Sequence, residues 1–204
     1  MTIDRARLVS ILDALGQRLG KPSTICLIGS SPGILRGQPD RQSADIDIWR
    51  PASAYDETDL RRACEELGIL FDPKGELDPD AIYLQVVAPG IVKLPEDLRV
   101  DILGQYGALT VAMPAAALLS AAKLARGEPR DIEDVAWWIK EQALGLGDIR
   151  TAIGLLPDGS SARMLRRTSS SSSCLLQPKG SRHDPHGARV VCGSPRCAAA
   201  RANG

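Results

Sequence analysis

Two aspartates separated by one residue, Asp45 and Asp47, are the residues of this sequence best suited to chemistry. They lie in ADIDIW, where acidic and apolar side chains alternate with the period of a β-strand. Residues two apart on a strand share a face, so both carboxylates point to the same side. Two ionised carboxylates repel each other, and a hard divalent cation such as Mg²⁺ removes that repulsion. The spacing therefore predicts a metal site.

A turn of small residues, Gly29-Ser30-Ser31, precedes the aspartates and follows the apolar run STICLI. Backbone N–H groups and a hydroxyl at a turn before a short helix suit a phosphate group. A third carboxylate, Asp101 in LRVDIL, lies amid apolar residues, where an unpaired charge is costly. We expect Asp101 to complete the metal site, which would then hold a bound phosphate as well.

These residues must be positioned by helices and strands, and the pattern of the sequence predicts an α+β fold. It consists of a small mixed β-sheet with flanking helices, followed by C-terminal helices. The apolar periodicity, together with Pro and Gly residues at helix boundaries, predicts two regions: a core over residues 1–112 and a helical segment over 113–156. The predicted helices cover residues 4–20, 30–37, 56–69, 114–127, 128–145 and 147–159. The predicted strands cover residues 23–29, 44–49, 80–90, 98–107 and 109–114.

Composition is that of a soluble globular protein, with 44% apolar and 25% charged residues in 204. No apolar run approaches the roughly 20 residues that span a membrane, and the N-terminus carries charges where a signal peptide would be apolar. The five cysteines have no framework spacing and are interpreted as reduced thiols. These features predict a cytoplasmic protein with no membrane partner.

The last segment, residues 157–204, has no hydrophobic periodicity and is rich in Ser, Arg, Gly and Pro. It is predicted to be a disordered basic tail, because it cannot bury enough apolar surface to offset chain entropy. Its composition also suggests translation in a shifted reading frame. It contains His183, His186, Cys192 and Cys197, but their spacing is not that of a standard zinc site.

The motifs together resemble the nucleotidyltransferase superfamily with a polymerase-beta-like fold. That family combines a Gly-Ser turn, an Asp-x-Asp pair and a later third acid, as Gly29-Ser30, Asp45-x-Asp47 and Asp101 do here. The segment LLSAAKLARGEPRDIEDVAWWI resembles an element of the branch with AbiEii-type toxins and small uncharacterised nucleotidyltransferase-like proteins. Its matching positions are Lys123, Arg130, Asp131 and Asp134. The resemblance covers roughly residues 5–155.

The resemblance implies a Mg²⁺-dependent enzyme that moves a nucleoside monophosphate from a nucleoside triphosphate to an RNA or protein acceptor. It also implies a toxin-like role with a cognate antitoxin as partner. The roles it implies are metal binding and catalysis by Asp45, Asp47 and Asp101, nucleotide binding by Gly29, Ser30 and Ser31, and both catalysis and nucleotide binding by Lys123.

Other interpretations of the same residues stay open. The acceptor could be a small molecule of the aminoglycoside type, or the chain could be a catalytically degenerate module that binds a nucleotide or a partner. Asp131 and Asp134 are favoured as residues that cap and orient their helix, because acids near a helix N-terminus interact well with its dipole. The adjacent Trp137 and Trp138 are favoured as packing residues.

Overall fold

The computed structural model describes residues 2–75, 78 and 80–157. Most of the predicted tail, with the His and Cys residues considered for zinc, lies outside the described residues. The helices are α1 (Arg5–Arg18), α2 (Ser31–Arg36), α3 (Glu57–Glu66), α4 (Ala116–Arg126), α5 (Pro129–Glu141) and α6 (Leu146–Gly154). The strands are β1 (Ser23–Cys26), β2 (Asp45–Trp49), β3 (Leu70–Phe71), β4 (Tyr83–Val87), β5 (Val100–Tyr106) and β6 (Leu109–Pro114).

The strands form two three-stranded sheets, in the orders β1-β6-β5 and β2-β4-β3. In the first, β1 and β6 are parallel and β5 is antiparallel to β6; in the second, β4 is parallel to both of its neighbours. An antiparallel bridge between Leu27 and Ile48 joins the end of β1 to β2. The spatial order is therefore β3-β4-β2-β1-β6-β5, and the predicted α+β class with mixed sheets is confirmed.

Both faces of the central strands are buried, each under a different group of helices. Ile25 and Leu27 belong to a core cluster with the apolar residues of α1 and α3. Cys26 and Ile28, which alternate with them, belong to a second cluster with α4 and α6. The alternation assigns each side of the sheet to one helical layer.

Helix α2 is short because of its composition. Pro32 lies in its first turn, where a missing N–H costs no helical hydrogen bond, and Gly37 ends it in the left-handed conformation. Gly33 leaves room for the Gln38 side chain, whose Oε1 lies 2.2 Å from where a Cβ on residue 33 would be. The Pro-Gly pair is thus compatible with the predicted short helix and lets Gln38 cross over it.

Each predicted helix and strand has a counterpart in the structure, but most are shorter than predicted: β1 ends at Cys26 instead of Gly29, and α5 ends at Glu141 instead of Gly145. The 3₁₀ turn Arg50–Ala52 was not predicted. β3 (two residues) was not predicted, because it is shorter than any periodic pattern. The strand predicted over residues 80–90 is confined to β4. Among the helices of the described residues, none combines the length and the apolar character needed to cross a membrane.

Candidate functional site

Asp45 and Asp47 lie on β2 and face the side of the sheet that α4 covers. Ile46 and Ile48, which alternate with the aspartates along the strand, are fully buried in the cluster that contains α1 and α3. The aspartates therefore point to the opposite face, as predicted, and both are half-buried there. Neither forms an ion pair with a cation of the described residues.

Asp47 is in contact with the Gly-Ser turn that was predicted to bind phosphate. Gly29 has φ +68°, and a Cβ on it would lie 2.5 Å from Oδ2 of Asp47, so any other residue would be strained there and would force Asp47 to shift. The backbone is also joined here, since the N–H of Ile28 donates to the carbonyl of Asp47 (3.0 Å). The turn and the carboxylate pair thus form one continuous surface.

The two carboxylates lie in different environments. Burial raises the pKa of Asp47 to about 6; the charge of Asp45 adds to the rise, and Arg126 and Lys123 oppose it. Asp45 instead accepts hydrogen bonds from hydroxyls: Oγ of Ser43 donates to its Oδ1 (3.0 Å) and the phenol of Tyr83 to its Oδ2 (3.4 Å). Asp47 is thus the carboxylate that gains most from a cation.

A chain of hydroxyls connects the turn to Asp45. Oγ of Ser30 donates to Oγ of Ser43 (2.9 Å), which in turn donates to Asp45. Ser30 is the N-cap of α2, but its hydroxyl makes no capping bond and is turned to Ser43 instead. Ser31 is buried as the first residue of α2, so Ser30 is the serine of the turn that the site can use.

The structure does not bring Asp101 to the other two carboxylates. Asp101 lies on β5, and β6 and β1 separate that strand from β2, so three interstrand steps of about 4.8 Å intervene. Its side chain is 43% exposed and lies 4.0 Å from Nε of Arg99. Within residues 2–75, 78 and 80–157, no group of three His, Cys, Asp or Glu side chains is placed to hold a metal ion.

The strand next to β2 carries other residues at the positions facing the pair. In the parallel register, Asp45 is opposite Tyr83 and Asp47 is opposite Gln85. Nε2 of Gln85 donates to Oδ1 of Asp72 (2.7 Å), on the far side of β4. The available ligands are therefore two carboxylates, which fit a Mg²⁺ ion that completes its coordination with water and phosphate oxygens.

Lys123 is buried and held by two aspartates of α5. Its Nζ donates to Oδ2 of Asp134 (2.7 Å) and lies 3.5 Å from Oδ1 of Asp131. Asp131 also accepts two hydrogen bonds from Arg126, at 2.7 and 2.6 Å. Burial favours a higher pKa for Asp131, but the Arg126 hydrogen bonds and the Lys123 charge lower it overall. Lys123 and Arg126 thus both have a carboxylate of α5 within hydrogen-bonding distance.

Asp134 joins the C-terminal helices to the loop before β2. Besides Lys123, it accepts hydrogen bonds from Nε2 of Gln38 (2.7 Å) and from the guanidinium of Arg41 (3.0 Å). Asp134 is 2% exposed, so these donors replace water as partners of its carboxylate. Its role is to connect α5 to the loop, rather than to cap its own helix as predicted.

Two cavities adjoin the turn and share Arg126. The first, about 320 Å³, contacts Gly29, Asp47 and Lys123 and is otherwise mostly apolar. Its apolar lining consists of Ile28, Ile91, Val92, Leu94, Leu119, Ala122 and Ala125. The second, about 510 Å³, contacts Ser30 and Ser43 and reaches the first turn of α5 at Arg130. An apolar site and a polar site therefore meet at the Gly-Ser turn.

Comparisons of this chain with protein-family models, with curated proteins and with solved structures found no match.

Sequence reasoning did not single out Ser43, Tyr83, Gln38 or Arg126 as residues of this site. A signal existed for Ser43, which precedes Asp45 by two residues and so extends the same strand face. Another existed for Arg126, which follows Lys123 by three residues and shares its helix face. Tyr83 and Gln38 come from long-range packing, which local patterns do not show.

Proposed function

We propose that this protein is a Mg²⁺-dependent nucleotidyltransferase, which transfers a nucleoside monophosphate from a nucleoside triphosphate to an RNA or protein acceptor. The observation that carries the proposal is the contact between Gly29 and Asp47. It sets a turn suited to phosphate directly beside a carboxylate pair suited to a divalent cation. A structural acid pair has no need of this arrangement.

The first cavity supports a nucleotide as ligand. Its volume of about 320 Å³ is in the range of small-molecule sites, and its mostly apolar wall suits a base and ribose. Lys123 and Arg126 line the cavity and act on Asp47 even though Asp131 and Asp134 pair with them, and a cationic wall on this side suits the triphosphate. The nucleoside would occupy the apolar part, and the phosphates would extend to Gly29 and Ser30.

Asp45 and Asp47 would hold the Mg²⁺, which supplies charge neutralisation at the phosphates and polarises their oxygens. In the transfer, an acceptor oxygen bonds to the α-phosphorus while the bond to the bridging oxygen breaks. Pyrophosphate leaves and the acceptor proton passes to solvent. The protein's own contribution is orientation: the turn holds the phosphates, and the cavity wall excludes water from the nucleoside.

A second candidate is a module that binds nucleotide without transferring it. The observation that favours it is the register of β4, which sets Tyr83 and Gln85, instead of an acid, opposite the carboxylate pair. Such a protein would bind a triphosphate with Mg²⁺ and release it unchanged.

A transfer assay separates these candidates. The full chain is incubated with Mg²⁺ and each of the four α-labelled triphosphates, with total RNA, a protein extract or aminoglycosides as acceptors. We expect label in RNA or protein, near-complete loss in Asp47→Ala, and wild-type transfer in Asp13→Asn, which changes an exposed acid of α1. Calorimetric binding of a triphosphate without any transfer would favour the second candidate, and the absence of both would reject the two together.

The toxin-like role, with a cognate antitoxin in the cytoplasm, is part of the proposal and rests on the resemblance of the Lys123–Asp134 segment. Induced expression in a bacterial host tests it. We expect the wild type to arrest growth and Asp47→Ala at equal abundance to permit it. Growth unaffected by the active wild-type enzyme would remove the toxin role and leave the transfer activity standing.

A further inference from the structure

We infer that Ser43 is a positioning residue, which orients Asp45 for the divalent cation and connects it to the phosphate-binding turn. This inference rests on the proposed function. Ser43 belongs to no motif of the sequence, but its hydroxyl lies between the two parts of the site and its backbone is anchored to the core.

The hydroxyl of Ser43 has partners on both sides. It accepts from Oγ of Ser30 (2.9 Å) and donates to Oδ1 of Asp45 (3.0 Å). A hydroxyl can accept and donate at once, so one side chain serves both contacts. Because Ser43 donates to Oδ1, the carboxylate has a fixed rotation and keeps its other lone pairs for an ion.

The backbone of Ser43 is itself held in place. Its carbonyl accepts from the N–H of Ile3 (2.7 Å), and its N–H donates to the carbonyl of Ile3 (3.1 Å). Ile3 is fully buried in the core cluster that contains α1. The hydroxyl of Ser43 therefore starts from a rigid attachment, which an orienting residue requires.

Tyr83 is a weaker alternative for the same task. Its phenol lies 3.4 Å from Oδ2 of Asp45, against 3.0 Å for Ser43 and Oδ1. Hydrogen bonds of O–H to oxygen weaken beyond about 3.0 Å. Removal of the Ser43 hydroxyl would thus leave Asp45 with the longer of its two bonds.

The test measures Mn²⁺ binding as well as transfer. Free Mn²⁺ is followed by electron paramagnetic resonance during titration of the full chain, with and without a triphosphate. In Ser43→Ala we expect the Mn²⁺ dissociation constant to rise about tenfold, as for other residues that orient a metal ligand. Transfer should then need about tenfold more Mg²⁺, with kcat at saturating Mg²⁺ within about twofold of wild type.

Two further variants separate the effect of the Ser43 hydroxyl from the effect of the size and shape of the side chain. Ser43→Thr keeps the hydroxyl and should bind Mn²⁺ within about threefold of wild type, whereas Ser43→Val has the same branched shape without it and should match Ser43→Ala. This pair decides the matter even if the alanine variant fails to fold. Ser53→Ala is the control, because Ser53 is a buried hydroxyl bonded to Cys26 and Trp49 in the sheet, and its loss should affect only stability.

The outcomes distinguish the two proposals. Mn²⁺ binding by the wild type that is equally tight in Ser43→Ala and Ser43→Val would overturn the role of Ser43 and leave the proposed function intact. A wild type that binds no Mn²⁺, with or without a triphosphate, would overturn the proposed function and this inference with it. Weakened binding in both, restored by Thr, supports Ser43 as the positioning residue.

Discussion

Two pairs of aspartates in this protein have opposite relations to their surroundings. Asp131 and Asp134, on α5, receive Lys123, Arg126 and Arg41 as partners. On β2, the Asp45 carboxylate accepts only from the hydroxyls of Ser43 and Tyr83, and among the described residues no cation forms an ion pair with Asp45 or Asp47. Lys123 and Arg126 act on Asp47 from farther away. The carboxylates of Asp131 and Asp134 are thus neutralised by cationic side chains of the protein, whereas those of Asp45 and Asp47 have no such partner among the described residues.

The direction of the pKa shifts follows this difference. Burial acts to raise the pKa of both Asp47 and Asp131, but ion pairing reverses the effect only at Asp131. A carboxylate kept costly to ionise within a folded protein suits a site that takes up a cation. Asp131 and Asp134 are thus paired within the fold, whereas Asp45 and Asp47 are the pair to which we assign the cation in the proposed function.

The largest effect is expected at the neutralised pair. Asp134→Asn removes the charge that faces Lys123 and Arg41 and leaves the buried Lys123 with only its longer contact to Asp131, and breaking a buried ion pair is strongly unfavourable. We expect the free energy of unfolding to fall by about 3 kcal/mol in urea titrations at pH 7. Glu133→Gln, at an exposed position of the same helix, should change it by less than about 0.5 kcal/mol. Equal effects in the two variants would show that the network contributes little.

At the Asp45–Asp47 pair, we expect removal of a charge to raise the free energy of unfolding instead of lowering it. A carboxyl whose pKa is raised in the folded state binds its proton more tightly there, so stability is lost as pH rises from about 4 to about 6. Asp47→Asn escapes this loss. In EDTA it should be more stable than wild type by about 2 kcal/mol at pH 7, and by nearly nothing at pH 4.

The control for this variant is Asp13→Asn, which alters an exposed acid and should show no such pH dependence. Urea titrations of the three proteins from pH 4 to pH 7 make the comparison. A destabilised Asp47→Asn at pH 7, or a difference that does not vary with pH, would contradict the assignment of Asp47 as an uncompensated carboxylate.

The same two pairs show what sequence alone could predict. The period-2 alternation fixed the common face of Asp45 and Asp47, and helix boundaries at Pro and Gly located α4 and α5. The order of the strands could not be read this way, because pairing is set by packing between distant segments. Asp101 was therefore expected beside β2, where the structure has Tyr83 and Gln85.

The hydrogen-bond partners of Asp134 could not be predicted from the sequence for the same reason. Its partners Gln38 and Arg41 are 96 and 93 residues away in the chain, so no local pattern connects them. A helix-orienting role was the natural expectation from its place early in α5. Local sequence patterns therefore predict which acidic residues share a face or a helix, but they do not predict which cationic side chains will pair with them.

A smaller effect is expected where the turn touches the carboxylate pair. Gly29→Ala introduces both a positive φ for a side chain and a Cβ 2.5 Å from Asp47. Gly37→Ala, with φ +87° and nothing within 4 Å, introduces only the first. Both should lower the free energy of unfolding by about 1 kcal/mol, and Gly29→Ala by up to about 1 kcal/mol more.

The excess in Gly29→Ala should be accompanied by weaker triphosphate binding, which calorimetry measures, whereas Gly37→Ala should bind as the wild type does. Identical losses of stability and identical affinities in the two variants would mean that Asp47 can move away from the turn without consequence. The contact between turn and carboxylate would then lose its functional meaning.

The smallest effect expected is stabilisation by the cation itself. A ligand that binds only the folded state stabilises it by mass action, so 10 mM Mg²⁺ with a dissociation constant of about 1 mM would add about 1.4 kcal/mol to the free energy of unfolding. The increment should vanish in Asp47→Asn, which lacks a ligand, and persist in Asp134→Asn despite its lower stability. Since the Asp131–Asp134 pair already has its counter-ions, an increment lost in Asp134→Asn but kept in Asp47→Asn would reverse the roles assigned to the two pairs.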